Sequence, residues 1–387
     1  MELYELDLSE DDISLRKTIR SLVDKEVRPR AREIDETESF PVDAMKAFGD
    51  LGLFGILTPE EYGGGDGTML QYSIVAEEIA RACAATCASY ITQIHGMLPI
   101  QAAGSEEQKA EWLPAMCEGS RLGAIAITEP DAGTDIHSMR TRAVRDGDDY
   151  IITGQKMFIT NGGKADVIAL FARTGEDSKT GISLFLVEAD SPGFTALPSL
   201  PKTGIRGSNT VPLSLDSVRV PARNRLGEEG IGFHLAVTVL SDARLSTAAQ
   251  AVGIAQGAWD IAYAYVQERE AFGHPVSEFQ AVQLRLAEMY GPLTAARLLT
   301  YQVARLMDAK GRAEYSVEAA LAKQYCGDIA MNVASQAVQL MGGYGYMREY
   351  EAERFFRDAK ITQIYDGTND VNRLVMMRQL MKRDSKK

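Results

Sequence analysis

The sequence predicts an α+β fold in which a β domain separates two helical domains. Apolar residues recur at helical spacing up to about residue 120 and alternate with polar residues from 121 to about 226. From 227 to 387 the helical spacing returns. Turn sequences punctuate the middle segment at Asp146–Gly147, 161–163 and 191–193. We therefore expect a helical domain over 1–120, a β domain over 121–226 and a helical domain over 227–387.

The helical segments follow from apolar spacing and from start signals. Ser9 and Asp12 form a capping-box pattern ahead of apolar residues that continue to Pro29. The glycine-rich stretch 62–67 follows no strand and is not closed by Gly-Lys-Ser/Thr, so it is interpreted as a loop and not as a nucleotide-binding motif. The other predicted helices cover 41–54, 69–103, 233–270, 278–309, 314–341 and 369–382.

Charge and composition argue against several classes of partner. The 387 residues are 45% hydrophobic and 25% charged, which is typical of a globular protein. The formal net charge of −13 argues against a nucleic acid or an anionic membrane surface, because both bind basic faces. The chain starts with acidic residues and has no apolar run near the ~18 residues of a membrane span, so we expect a cytoplasmic protein without membrane segments.

The residue types that bind metals lack ligand spacing. Cys83 and Cys87 lie four apart, on one face of the predicted helix 69–103, and are interpreted as reduced core residues. The histidines show no ligand spacing with one another or with the cysteines. We expect no metal; the histidines are His95, His137, His234 and His274.

The stretch 125–135 carries the first chemical signal. An apolar strand breaks at Pro130 into a loop that contains Thr128, Gly133 and Thr134. Two hydroxyls beside a glycine, which allows close backbone approach, can hold a polar ring edge or a phosphate. Taken alone, a plain turn is the commoner interpretation of such a loop.

Further stretches follow this loop in an order that resembles the acyl-CoA dehydrogenase family of flavoproteins. The matching stretches are 126–135, 156–161, 269–273 with Gln280, 339–345 continued through Arg354 and Asp358, and 363–368. The resemblance covers essentially the whole chain, with Phe158 where the family usually has tryptophan. It implies that the β domain is a barrel or sandwich and that the last domain is a four-helix bundle.

The resemblance implies FAD as the cofactor. Thr128 and Thr160 would lie near the polar edges of the flavin, and Phe158 against its ring. The adenosine contacts reach across to a neighbouring subunit in this family, so a homotetramer is implied. Taken singly, Arg269 is interpreted as a solvated cation and 342–345 as a helix break. The expected FAD contacts are Ile125, Ile127, Thr128, Gly133, Thr134, Phe158, Ile159, Thr160, Arg269, Phe272, Gln280, Gln339, Gly343, Thr368 and Asp370.

Arg244 is the expected contact for the substrate. It lies in an otherwise apolar helical pattern, where an unpaired cation is costly to bury, so it needs an anionic or polar partner. The resemblance makes this partner the CoA portion of the substrate. The alternative is an ion pair within the chain, with Asp242 or another acid. The resemblance also implies substrate contacts at Thr134, Tyr365 and Gly367.

Asp366 occupies the position where most family members carry the glutamate that acts as catalytic base. The other position used for the base in this family is Ala243 here. Aspartate lacks one methylene, which moves its carboxylate roughly 1 to 1.5 Å from a substrate held in the family pose. The hypothesis is therefore that Asp366 is the base for an α-branched or alicyclic acyl-CoA, such as cyclohexanecarboxyl-CoA. The alternative is an ordinary cap residue.

The function implied is flavin-dependent α,β-dehydrogenation of an acyl-CoA thioester, with electrons passed to an electron-transfer flavoprotein. One alternative is a flavin oxidase of the same fold, acting on nitroalkanes or acyl-CoA. The other is a catalytically retired flavoprotein that serves as a scaffold or binds nucleic acid. The net charge disfavours nucleic-acid binding, and the intact flavin motifs together with Arg244 disfavour retirement.

Overall fold

The computed structural model describes residues 5, 8–177, 180–310 and 315–384, so most of the acidic start (1–4, 6 and 7) and the first residue of the predicted helix 314–341 lie outside the described residues. Helices precede and follow a central sheet, which confirms the predicted fold class. The first helices are α1 (Glu10–Glu26), α2 (Ala31–Thr37), α3 (Val42–Asp50), α4 (Met69–Ala82), α5 (Ala84–Ala103) and α6 (Glu106–Cys117).

Capping boxes begin three of these helices. Ser9 Oγ accepts from the Asp12 backbone N–H at 3.1 Å, and the Asp12 carboxylate accepts from the Ser9 N–H at 3.1 Å, which confirms the predicted start of α1. Reciprocal pairs at Thr68–Gln71 and Ser105–Gln108 begin α4 and α6 in the same way. Each pair satisfies backbone donors that a helix start otherwise leaves without a partner.

The predicted single helix over 69–103 is wrong, because the chain breaks at Cys83. Cys83 is extended, with φ −151° and ψ 106°, and therefore does not share a helix face with Cys87. The carbonyl of Ala82 instead accepts a hydrogen bond from Arg354 at 3.1 Å. A donor distant in sequence thus hydrogen-bonds a carbonyl at the break, and the local sequence pattern cannot predict this donor. Both cysteines are buried free thiols.

The middle of the chain forms one eight-stranded sheet in the order β6-β7-β3-β2-β4-β5-β8, with β1 pairing in parallel with β4. Alternate residues of β4 and β5 enter two apolar clusters, one containing Phe171 and Leu184 and the other Leu170 and Phe185, so both faces of the sheet are covered. The strands are β1 (Gly123–Ala126), β2 (Arg142–Asp146), β3 (Asp149–Thr160), β4 (Val167–Arg173), β5 (Ile182–Glu188), β6 (Phe194–Ala196), β7 (Thr210–Pro221) and β8 (Arg225–Leu226).

Helix α7 is the central element of the last part of the chain, and it packs against α4, α5, α8, α9 and α10. Glycines permit its close approach to α4: a Cβ at Gly253 would lie 2.2 Å from the Glu77 carbonyl oxygen. No helix in the described ranges has the length and apolarity to cross a membrane. The remaining elements are α7 (Gly232–Glu268), the hairpin β9 (Glu270–Ala271) and β10 (His274–Pro275), α8 (Gln280–Lys310), α9 (Ser316–Met341), α10 (Ala352–Ala359) and α11 (Asn369–Asp384).

Candidate active site

A buried ion pair fixes the loop that follows β1. Lys156 Nζ donates to Glu129 Oε1 at 2.8 Å and to the Ile127 carbonyl at 3.1 Å. The Glu129 carboxylate also accepts from the backbone N–H groups of Arg140 at 2.6 Å and Thr141 at 3.0 Å. One lysine and one glutamate therefore tie both ends of the loop 127–141 to β3. The sequence analysis missed this role of both residues.

The electrostatics of this pair follow from its burial. Burial lowers the pKa of Lys156 to about 8, although the Glu129 carboxylate raises it. Burial alone would raise the pKa of Glu129, but the Lys156 charge and the hydrogen bonds it receives lower it below its ordinary value. Near neutral pH the loop is thus held by a charged, hydrogen-bonded pair.

Beside this loop, β3 presents an open aromatic face. Phe158 is 62% exposed and has a left-handed φ of +60°, within a register irregularity of β3 against β7. The Met157 N–H donates to the Thr128 carbonyl at 2.8 Å, which holds the loop against the strand. Among the described residues, none forms a hydrogen bond with the hydroxyls of Thr128, Thr134 or Thr160.

These features match the chemistry of a flat ring with polar edges. Phe158 supplies an exposed face, the three threonines supply donors without partners in the described chain, and Gly133 leaves open space beside the loop. The three isoleucines of the expected set differ from these residues. Ile125 and Ile127 are half-buried and the Ile159 side chain is in the core, so Ile159 can face a ligand only through its backbone.

The second group of expected cofactor contacts lies near the carboxy-terminal end of α7 and is exposed. The Arg269 guanidinium lies 5.6 Å from the centre of the Tyr344 ring, which brings the β9–β10 hairpin beside the turn that contains Gly343. Phe272 is 94% exposed, and its ring contacts Phe279 edge to face. Gln280 and Gln339 are also exposed, at the start of α8 and near the end of α9.

The loop before α11 carries Asp366 in a left-handed conformation with φ +53°, followed by Gly367 with φ +87°. The Gly367 carbonyl accepts from Lys323 Nζ at 2.6 Å and from Asn372 Nδ2 at 2.8 Å. Lys323 also donates to Asn369 Oδ1 at 3.0 Å. The loop is therefore fixed from α9 on one side and from α11 on the other.

The Asp366 carboxylate faces α7. Thr247 Oγ1 donates to Asp366 Oδ2 at 2.7 Å. Arg244 and Lys323 both interact electrostatically with this carboxylate, and in the described part of the chain no acceptor engages the Asp366 backbone N–H. One residue thus presents an acidic side chain and an open backbone donor. Ala243, the other family position for a base, is buried in α7.

Arg244 is buried, with 7% of its surface exposed, and no carboxylate of the described residues forms a salt bridge with it. The alternative, an ion pair within the chain with Asp242 or another acid, is therefore not formed by the described residues. Arg244 Nε has no hydrogen-bond partner among those residues. Burial lowers the pKa of its guanidinium, while the Asp366 carboxylate raises it. The cation remains available to a ligand.

Sequence reasoning also missed three neighbours of Asp366. Thr247 is three residues after Arg244 on α7, which was a usable signal because residues three apart share a helix face. Lys323 is a fully buried lysine in a helix rich in alanine, and burial lowers its pKa to about 8 against the raising effect of Asp366. His95 Nε2 lies 3.0 Å from Ser246 Oγ, and burial lowers the pKa of this imidazole.

The other expected residues around Asp366 have partners within the chain. The Tyr365 hydroxyl donates to Gln250 Oε1. Thr368 Oγ1 accepts from the Val371 N–H at 3.3 Å and so caps α11. Asp370 is exposed and pairs with Arg373 at 2.8 Å. No group of three or more histidine, cysteine, aspartate or glutamate side chains suited to a metal ion occurs in the described ranges.

A polar pocket of about 430 Å³ lies where the loop meets β2 and β4. Arg173 donates to the carbonyls of Met139 and His137, at 3.0 and 2.7 Å, and thereby shapes its wall. The His137 ring stacks on Phe233, in the first turn of the helix that carries Arg244. The residues that line the pocket are His137, Met139, Arg140, Arg142, Arg173 and Glu176.

Three family models match consecutive parts of the chain. They describe the acyl-CoA dehydrogenase N-terminal domain over 9–120, the middle domain over 124–218 and the C-terminal domain over 230–381. The chain belongs to the acyl-CoA dehydrogenase family. Members of this family are FAD-dependent, and the chain is accordingly an oxidoreductase of the acyl-CoA dehydrogenase type.

Relatives are similar over nearly their whole length. The cyclohex-1-ene-1-carbonyl-CoA dehydrogenase of Syntrophus aciditrophicus is 44% identical, over 97% of this chain and 91% of the relative. The short-chain-specific acyl-CoA dehydrogenase of Clostridium acetobutylicum is 42% identical, over 96% and 98%. A chain solved in a study of the electron transferring flavoprotein of Acidaminococcus fermentans superimposes with a TM-score of 0.95 at 40% identity, over 98% and 99%.

Proposed function

We propose that the chain dehydrogenates an α-branched or alicyclic acyl-CoA thioester at the α,β position, with Asp366 as the base that removes the α-proton. The observation that carries the proposal is the combination at Asp366 of a carboxylate and an unengaged backbone N–H, next to the buried cation of Arg244. A thioester carbonyl that accepts a hydrogen bond from this N–H has a more acidic α-proton, and the carboxylate on the same residue can remove it.

FAD is the cofactor proposed for the open face of β3. When bound, it supplies the acceptor for the hydride that leaves the β-carbon. Phe158 packs against the ring, while the hydroxyls of Thr128 and Thr160 hydrogen-bond its polar edges. Thr134 binds both the pyrophosphate region and the substrate. The backbone of Ile125, Ile127, Gly133 and Ile159, together with Thr368 and Asp370, completes the set of contacts.

The exposed contacts around Arg269 and Phe272 are proposed to bind the adenosine end of FAD in a neighbouring subunit of a homotetramer. Phe272 is almost fully exposed, which is unusual for a large apolar side chain unless a ligand or another chain covers it. Gln280, Gln339 and Gly343 are exposed in the same part of the molecule. We further propose that the protein is cytoplasmic. An electron-transfer flavoprotein would accept the electrons from its reduced flavin.

The CoA portion of the substrate is proposed to bind between Arg244 and the pocket beside His137. Phe233 and Arg244 are eleven residues apart on α7, which spans about 16 Å along the axis. That distance suits an extended pantetheine arm, with the phosphates of CoA near Arg140 and Arg142. The backbone at Gly367 and the ring of Tyr365 lie next to Asp366 and contact the acyl thioester.

The choice of acyl group follows from the shorter base. An α-branched or cyclic acyl group is bulkier around the α-carbon and leaves space for aspartate but less for glutamate. The relative from Syntrophus aciditrophicus acts on a cyclic acyl-CoA by its name, and the one from Clostridium acetobutylicum on short chains. The two relatives are about equally similar to this chain, at 44% and 42% identity, so an experiment has to decide between a cyclic and a straight-chain acyl group.

The test is anaerobic flavin reduction with cyclohexanecarboxyl-CoA, butyryl-CoA and hexanoyl-CoA, in wild type and Asp366→Glu. We expect the cyclic substrate to reduce wild type fastest, and the longer acid to slow it while accelerating the straight chains. A wild-type preference for straight chains would contradict the acyl assignment. Turnover with oxygen would indicate the oxidase alternative, and no reduction by any thioester would indicate a retired scaffold.

Arg244→Gln tests the CoA contact. The variant removes the buried charge but keeps a polar side chain, so we expect KM for the CoA thioester to rise by roughly tenfold or more, with a smaller change in kcat. FAD content and the thermal midpoint serve as controls for folding. An unchanged KM, or loss of FAD together with loss of fold, would contradict the assignment.

A further inference from the structure

We infer that Thr247 is a positioning residue that holds the carboxylate of Asp366 in the orientation for proton abstraction. The inference rests on the proposed function, since it takes Asp366 as the base. Thr247 is fully buried in α7, and its hydroxyl is 2.7 Å from Asp366 Oδ2. This is the one hydrogen bond from a side chain in the described ranges that reaches the Asp366 carboxylate.

The geometry explains why this aspartate needs such a partner. Its carboxylate has two side-chain torsions, and with φ +53° it extends from a turn and not from a regular element. The main chain of the turn is fixed through the Gly367 carbonyl by Lys323 and Asn372, but these bonds do not touch the carboxylate. The Thr247 hydroxyl donates a hydrogen bond to the carboxylate oxygen Oδ2 of Asp366. The other carboxylate oxygen is left to accept the substrate α-proton.

The charged groups around the carboxylate act differently from Thr247. Arg244 on the same helix and Lys323 on α9 supply positive charge, and His95 on α5 contributes more weakly because burial favours its neutral form. None of these three donates a hydrogen bond to Asp366 in the described structure. Charge attracts a carboxylate from any direction, whereas a hydrogen bond of 2.7 Å fixes the direction of one oxygen.

The step that Thr247 supports is the breaking of the substrate α-C–H bond. The proton passes to the free oxygen of Asp366, and the electron pair becomes the α,β double bond as the β-hydrogen leaves as hydride to the cofactor of the established family activity. A carboxylate displaced by about 1 Å can slow such a transfer by ~100-fold. Loss of the hydroxyl is therefore expected to lower kcat without weakening substrate binding.

The test compares Thr247→Val, which keeps the shape without the hydroxyl, with Thr247→Ser, which keeps the hydroxyl. We expect Thr247→Val to reduce flavin ~10- to 100-fold more slowly with KM within about twofold, and Thr247→Ser to restore most of the rate. With substrates deuterated at the α- or the β-carbon, the α-isotope effect should grow relative to the β-isotope effect. If Thr247→Val does not fold, Thr247→Ala replaces it.

Thr300→Val is the matched control. Thr300 is also a fully buried helical threonine, and its hydroxyl donates to the Ala296 carbonyl at 2.9 Å, away from Asp366. An unchanged or faster Thr247→Val, an unchanged ratio of isotope effects, or an equal loss in Thr300→Val would overturn the inference. Asp366→Asn, measured in parallel, separates the two levels: full activity there overturns the base assignment itself, whereas a slow Asp366→Asn beside an active Thr247→Val overturns only the role of Thr247.

Discussion

Two buried lysines, Lys156 on β3 beside the loop 127–141 and Lys323 on α9 beside the turn at Asp366, are alike in burial but differ in their partners. Both are fully inaccessible, and burial lowers the pKa of each to about 8. Lys156 pairs with the Glu129 carboxylate at 2.8 Å. Lys323 instead donates to two neutral oxygens, while its charge acts on Asp366. The first lysine holds the loop 127–141 against β3, whereas the second holds the turn at Gly367 and acts electrostatically on Asp366.

The comparison predicts its largest stability effect at Lys156. Lys156→Met leaves the Glu129 carboxylate buried without its cation, which we expect to lower the free energy of unfolding by ~3 to 5 kcal/mol and to reduce FAD content. Urea unfolding and the flavin absorbance of the purified protein measure both effects. The double variant Lys156→Met/Glu129→Gln should recover part of the loss. A single variant within ~0.5 kcal/mol of wild type would remove the distinction between the two lysines.

At Lys323 the balance between stability and rate should be reversed. Lys323→Met leaves the Gly367 carbonyl bonded to Asn372, so we expect a loss of only ~1 to 2 kcal/mol in the free energy of unfolding. Flavin reduction should slow by roughly tenfold, because the turn that carries Asp366, the proposed base, is then fixed only from α11. Urea unfolding measures the free energy of unfolding, and anaerobic stopped-flow measures the rate of flavin reduction. A destabilisation as large as that of Lys156→Met with an unchanged rate would contradict the comparison.

Lys323 should also make the stability depend on pH. The pKa of Lys323 is about 8 in the folded protein, below its ordinary value of 10.5. Between pH 8 and 10.5 this amine is therefore protonated in the unfolded chain but mostly neutral in the folded one. Stability linked to this group therefore rises with pH, by at most about 1.4 kcal/mol per unit, above pH 8. The difference in unfolding free energy between wild type and Lys323→Met should grow from pH 8 to 10. A difference that is constant or shrinks over that range would show that Lys323 does not titrate this way.

The sequence predicted those features that local pattern or motif order determines. The helical, β and helical parts and the capping box at Ser9 agree with the structure. Arg244 was expected to need an anionic or polar partner, and no acid of the described chain forms a salt bridge with it. The break at Cys83 was not predicted, because the hydrogen bond that helps to explain it comes from Arg354, 272 positions from Ala82.

The residues that hold the site in place were not predicted for the same physical reason, because their partners are distant in sequence. Lys156 was recognised as part of a motif, but its bond to Glu129 depends on how β3 packs against the loop. Thr247 and Lys323 meet Asp366 only after α7, α9 and the turn before α11 pack together. Hydroxyls and single lysines in apolar helices have many local interpretations, and only tertiary contacts select one of them.

The base assignment of Asp366 is the central claim, and the rate of flavin reduction in Asp366→Asn tests it most directly. The amide is nearly isosteric, so FAD and enoyl-CoA product should bind as in wild type. It cannot accept the α-proton as a carboxylate does, so anaerobic reduction by the best acyl-CoA should be ~10² to 10⁴-fold slower. A variant with intact FAD and product binding that is reduced at the wild-type rate would contradict the claim.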